Sequence, residues 1–79
     1  MITELASKEK VIGVKQSSKA IREGRATRVF LAVDADPAIT DPVAAGCVAA
    51  GIPVEDGHTM AQLGQACHIS VGASVVAIL

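Results

Sequence analysis

Apolar residues along this chain alternate between short continuous runs and stretches with helical spacing. Residues 2–9 place Ile2 and Leu5 on one side of a short predicted helix. The run VIGV (11–14) predicts a short strand. Residues 17–23 predict a helix closed by Gly24, a residue suited to a left-handed stop. The run RVFLAV (28–33) is continuous, β-branched and aromatic, as in a central strand buried on both faces. Asp41 then caps a predicted helix with Pro42 first, Val43, Cys47 and Ala50 inward, and Gly51 at its end. Gly46 within it costs about 1 kcal/mol against Ala, which suggests a close helix–sheet contact. IPV (52–54) reads as an edge strand, where Pro53 is tolerable. Thr59 and Gln62 form a T-x-x-Q capping box opening a helix to about Cys67, with Met60, Leu63, Ala66 and Cys67 inward. ISVGAS (69–74) is a loop, and VVAIL (75–79) a final buried strand.

Strands separated by helices of about ten residues imply βαβ units with helices on both faces of a mostly parallel sheet. The expected fold is a three-layer α/β/α sandwich with a small mixed sheet of about four strands. At 79 residues the chain is expected to form a single domain, residues 1–79, of marginal stability. Its core must be built from small side chains, because Phe30 is the only aromatic residue.

Charge adds a polarity that the net value of −1 hides. All seven basic residues lie between Lys8 and Arg28, against three acids in residues 1–28, a local balance of +4. Residues 29–79 hold five acids and no Lys or Arg, a balance of −5. Lys15, Lys19 and Arg22 fall at i, i+4 and i+7, one stripe of a helix. Such asymmetry suggests a polyanion partner for the first third of the chain; a merely solvated basic helix is the alternative. No apolar run approaches the roughly 20 residues of a membrane span, and MITELASKEK lacks the apolar stretch of a signal peptide. A cytoplasmic protein with two buried free thiols, Cys47 and Cys67, is expected.

Enzymatic readings lack parts. FLAVDADP resembles the D-x-D opening of aspartyl-phosphate phosphatases, but that chemistry needs a later Lys and a second acidic pair. Asp34 and Asp36 are better read as acceptors for backbone amides in the turn before Pro37. Cys47, His58, Cys67 and His68 lack the close spacing of zinc ligands. No third group orients a Cys–His pair, and GVKQSSK is not a phosphate loop. No catalytic residue, metal or cofactor is assigned.

Two further stretches, GVKQSSKAI (13–21) and LGQACHISVGASVVAI (63–78), together with DADP and Thr40, resemble the L-seven-Ae/L-thirty-e ribosomal protein superfamily, above all its small bacterial YbxF-like branch. The likeness runs from about Val11 to the C-terminus. It implies a kink-turn RNA-binding module rather than an enzyme. The bacterial branch opens a helix with Gly-Thr-Lys-Gln-x-x-Lys, matched by Gly13, Lys15, Gln16 and Lys19. Val14 departs from it, with an apolar group where the family has a hydroxyl. The family's second RNA contact, an apolar loop, maps onto Ile69, Ser70, Val71, Gly72 and Ala73.

The resemblance therefore implies an RNA contact set of Gly13, Val14, Lys15, Gln16, Lys19, Arg22 and residues 69–73. A helix N-terminus offers free N–H groups to phosphate, and a kink with sheared G·A pairs opens a groove that straight A-form RNA keeps closed. With no Tyr or Trp, recognition by base stacking has little to work with. The expected partner is a kink-turn in ribosomal RNA, a riboswitch or another bent RNA, bound by a ribonucleoprotein component that is itself a monomer. The alternative is a ribosome-associated protein–protein interaction module with weak RNA affinity.

Overall fold

The computed structural model describes residues 9–79, so the helix expected over 2–9 lies, but for Glu9, outside the described residues. The elements are β1 (Lys10–Ile12), α1 (Val14–Arg22), β2 (Arg28–Ala32), α2 (Pro37–Ala50), β3 (Val54–His58), α3 (Met60–Ala66) and β4 (Val75–Ile78). The four strands form one sheet in the order β1-β4-β2-β3.

Strict alternation along the central strands divides the core into two layers. Val29, Leu31, Val75 and Ala77 face α1 and α2, where they meet Ala20, Ile21, Val43 and Cys47. Phe30, Ala32, Val76 and Ile78 face the other way, onto Leu63 of α3 and Cys67 just after it. The fold is the expected α/β/α sandwich with a mixed sheet.

The expectation of a mostly parallel sheet is corrected. Only β2 and β3 run parallel, while β4 is antiparallel to both β1 and β2. The cause lies in α3. Its seven residues span only about 10 Å, and the loop after it climbs back along the same helix. The Ile69 N–H donates to the Gly64 carbonyl (3.1 Å) and the Ala73 N–H to the Met60 carbonyl (3.0 Å). The chain thus re-enters the sheet at the end where α3 began.

Three element boundaries also move. Helix α1 starts at Val14 rather than Ser17, because Gly13, at φ 103°, turns the chain directly out of β1. Helix α2 starts at Pro37 rather than Pro42: Asp36–Pro37 is the same cap-and-proline pair, met earlier, and Asp36 accepts from the Ala38 N–H at 3.0 Å. Pro42 lies inside, leaving the Ala38 carbonyl without its helical donor but next to solvent, since Ala38 is exposed. Strand β3 is an edge strand as expected, but covers 54–58 rather than 52–54. Ile52 spends its N–H on the Cys47 carbonyl behind Gly51, whose φ of 71° closes α2. Gly46 faces Ile21 of α1, its missing Cβ 3.9 Å from that side chain, so it serves helix–helix rather than helix–sheet packing.

Leu63 is fully buried and Val48 is 80% exposed. Leu63→Ala is expected to lower the unfolding free energy by about 2–5 kcal/mol, and Val48→Ser to change it by less than about 0.5 kcal/mol. Urea unfolding measures both, and equal effects would contradict the assigned core.

Candidate nucleic-acid interface

The three helices of the described residues all begin at the same end of the sheet. Strands β1, β2 and β3 point their C-terminal ends there, β4 starts there, and each helix follows the strand before it. A helix start exposes N–H groups with no internal partner and the positive end of the helix dipole. What each start does with those groups separates the three.

Helices α2 and α3 are capped by their own chain. Asp36 caps α2. At α3 the Gln62 N–H donates to Thr59 Oγ1 (3.1 Å), the Thr59 N–H to Gln62 Oε1 (2.9 Å), and the Met60 N–H to Asp34 Oδ1 (2.8 Å). Both carboxylates of the D-x-D motif are therefore committed to helix starts. Asp36 acts within its own turn, as expected of it, while Asp34 reaches a partner 26 residues away.

Helix α1 differs. Its cap residue, Gly13, has no side chain to bond, and no acid lies in its first turn. Among the described residues beyond its chain neighbours, nothing lies within 4 Å of where a Gly13 Cβ would be, so they leave the approach to the helix start open. The glycine is required by its positive φ rather than by crowding. Lys15, Gln16, Lys19 and Arg22 are all exposed, while Ser17, Ala20 and Ile21 are buried on the opposite face. Among the described residues no carboxylate pairs with Lys15, Lys19 or Arg22; the nearby ion pair joins Arg25 to Glu23 at 2.8 Å. The predicted stripe is thus a row of exposed cations leading to an uncapped helix start. Val14 is different from its neighbours: it packs partly buried against the α1–α2 core layer.

The loop over 69–74 reaches the same end of the sheet. The Gly13 N–H donates to the carbonyl of Val75, the first residue after that loop, at 2.8 Å. Val71 is 69% exposed, and Ser70 and Gly72 are also exposed. Ile69 packs partly buried against the α3 core layer and Ala73 is buried within it. The structure therefore brings Gly13, Lys15 and Gln16 to the end of the sheet where Ser70, Val71 and Gly72 are exposed, while Lys19 and Arg22 lie farther along the exposed face, in the last turn of α1. The side chains of Val14, Ile69 and Ala73 turn largely into the core and anchor that surface from below.

The loop is held tightly. A Cβ on Gly64 would collide with the Val71 carbonyl oxygen, and one on Gly72 would lie 3.1 Å from the Met60 Cβ. Gly64, Met60 and Asp34 thus shape this surface, although the sequence alone did not single them out for it. Gly64 sits at an inward-facing helix position, a signal of close backbone approach.

The other candidate chemistry is dispersed. Cys47 and Cys67 are buried on opposite faces of the sheet. Among the described residues no group of three or more His, Cys, Asp or Glu could hold a metal ion. His58 rests its ring 6.1 Å from that of Phe30. A cleft of about 320 Å³ opens between Val33, Thr40, Asp41 and Asp56. Among the described residues no helix is long and apolar enough to cross a membrane.

Residues 3–79 match the model of the Ribosomal protein L7Ae/L30e/S12e/Gadd45 family. The chain belongs to this family. It is 49% identical over 69 residues to the RNA-binding protein YbxF of Geobacillus stearothermophilus, covering 87% of this chain and 84% of that protein. It is 46% identical over 69 residues, with the same coverage, to an RNA-binding protein of Geobacillus sp. (strain WCH70). Among solved structures, the Giardia lamblia 15.5kD RNA binding protein superposes with a TM-score of 0.82 at 31% identity, over 87% of this chain and 58% of that one. A Bacillus halodurans protein of unknown function superposes at 0.81 and 26% identity, over 87% and 69%.

Burial pushes both thiols above their ordinary titration range, with nearby Lys10 partly offsetting the effect at Cys67. The protonated form is favoured in the fold. Its stabilising contribution is whole below the ordinary thiol range and is lost as pH rises through the raised folded values. Both cysteines of the native protein are expected to resist thiol reagents at neutral pH and to react fully in denaturant. Labelling of either in the native state at the rate of a free cysteine would contradict its burial.

Proposed function

We propose that this chain is a non-catalytic RNA-binding protein that recognises kink-turns, with the start of α1 in the groove and the loop around Val71 over it. The observation that carries this reading is the contrast between three helix starts at one end of the sheet: among the described residues only that of α1 has no side-chain cap, and Lys15 is exposed in its first turn. RNA binding by the family's bacterial relatives, close to half identical over most of both chains, supports it.

The chemistry follows from the groups present. The first N–H groups of α1 and the dipole end attract phosphate. Gly13 admits the backbone of the RNA without steric hindrance. Lys19 donates to guanine O6 and N7. Gln16 offers both a donor and an acceptor and repels phosphate less than a carboxylate would. Lys15 and Arg22 supply attraction to the backbone, and exposed Val71 covers an extruded base. A continuous A-form duplex closes the groove that this arrangement needs. The protein selects the kinked population and stabilises it by its differential affinity.

The test is a titration of a kink-turn duplex and of the same duplex with its G·A pairs replaced, at two salt concentrations. The kinked form should bind much more tightly, with a log–log salt slope of roughly −0.7 to −0.9 per phosphate neutralised. Lys19→Ala should cost about 1–3 kcal/mol. Equal affinity for the two duplexes would reject kink recognition and favour a ribosome-associated protein–protein module.

A further inference from the structure

The D-x-D motif has no part in the contacts proposed above, yet Asp34 stands at the head of a chain of bonds that ends at Val71. Its Oδ1 accepts from the Met60 N–H at 2.8 Å, fixing the first turn of α3 to the end of β2. The Met60 carbonyl in turn accepts from the Ala73 N–H at 3.0 Å. The Met60 Cβ closes on Gly72, where an added Cβ would lie 3.1 Å from it. One turn further on, the Gly64 carbonyl accepts from the Ile69 N–H, and its missing Cβ leaves the space that the Val71 carbonyl fills. Among the described residues, the backbone bonds from 69–73 to the rest of the fold thus end on α3. Among the described residues the Asp34–Met60 bond is the only side-chain hydrogen bond from the first turn of α3 to another element, since Thr59 and Gln62 bond to each other; Met60 and Leu63 add apolar packing against the sheet.

We infer that Asp34 is a positioning residue for RNA recognition: its carboxylate holds α3, and through Met60 the loop carrying Val71, in register with the start of α1. The inference rests on the proposal that Val71 covers an RNA base. It assigns Asp34 no contact with RNA. What matters is the acceptor oxygen, because a negative charge at this edge otherwise repels phosphate. The amide of asparagine keeps an acceptor and removes the charge, so it separates the two properties.

The experiment compares Asp34→Ala, Asp34→Asn and Val71→Ser with the unmodified protein. Each is titrated with the kink-turn duplex and its G·A-replaced control at two salt concentrations, and amide exchange is followed at Ile69 and Ala73. Asp34→Ala should weaken binding to the kinked duplex by roughly three- to tenfold, the scale of a lost helix cap. It should narrow the discrimination between duplexes, leave the salt slope unchanged and speed exchange at Ala73. Asp34→Asn should stay within about twofold of the unmodified protein. A general loss of fold would not spare the salt slope while eroding discrimination. Should Val71→Ser weaken binding and Asp34→Ala leave it intact, the inference fails and the RNA reading stands. Unchanged binding by Val71→Ser removes the role of the loop, and the inference with it. Asp34→Asn as weak as Asp34→Ala, or Asp34→Ala melting the whole domain, likewise overturns selective positioning.

Discussion

The hydrogen bond from the Gly13 N–H to the Val75 carbonyl joins the two halves of the candidate interface. Gly13 is the last residue before α1, and Val75 the first after the loop that carries Val71. Their bond extends the antiparallel pairing of β1 with β4, so the helix start and the loop are set by sheet register rather than by a flexible hinge. Gly13 makes that bond at φ 103°, and the chain turns into the helix in the next step. Glycine adopts this backbone without the cost that a side chain incurs.

Around this bond the fold sorts its helix starts. Three of them converge where the strands end, and two are neutralised by carboxylate, hydroxyl and amide groups of the chain itself. The third is left bare, and its exposed stripe holds Lys15, Lys19 and Arg22. The charge division in the sequence acquires a structural meaning here. The acids of the second part include the two that cap helices, while three of the seven bases, Lys15, Lys19 and Arg22, lie along the helix that lacks a cap. The small-residue core belongs to the same economy of space. Ser17 and Ala20, both fully buried, let α1 lie close on the sheet. Gly64 and Gly72 let a loop lie on a helix only two turns long.

Layering, strand number and the central strands were legible because burial on both faces leaves a continuous apolar signature, as in residues 28–33 and 75–79. The T-x-x-Q box marked the start of α3 to the residue, since capping is a local interaction. Strand β3 was read too early. Its sequence, VEDGH, is polar and interrupted by glycine, and an edge strand with little burial has no periodicity to show. The orientation of β4 was also missed, because it depends on a tertiary contact, the return of the loop along α3. In the candidate site the basic stripe and Gly13 could be read from spacing and charge. The resemblance supplied the loop. The roles of Asp34 and Gly64 were hidden, since their partners lie 26 and seven residues away and only the folded backbone brings them together.

The claim that one helix start was left open for an anion is tested most directly by following backbone amide resonances while kink-turn RNA is added. The account predicts that the amides of Val14, Lys15 and Gln16 and those of Ser70, Val71 and Gly72 shift together at one stoichiometric end point. The amides of Ala38, Met60 and Gln62, already bonded to side chains, should move far less. Shifts centred on the starts of α2 or α3, with α1 silent, would contradict it.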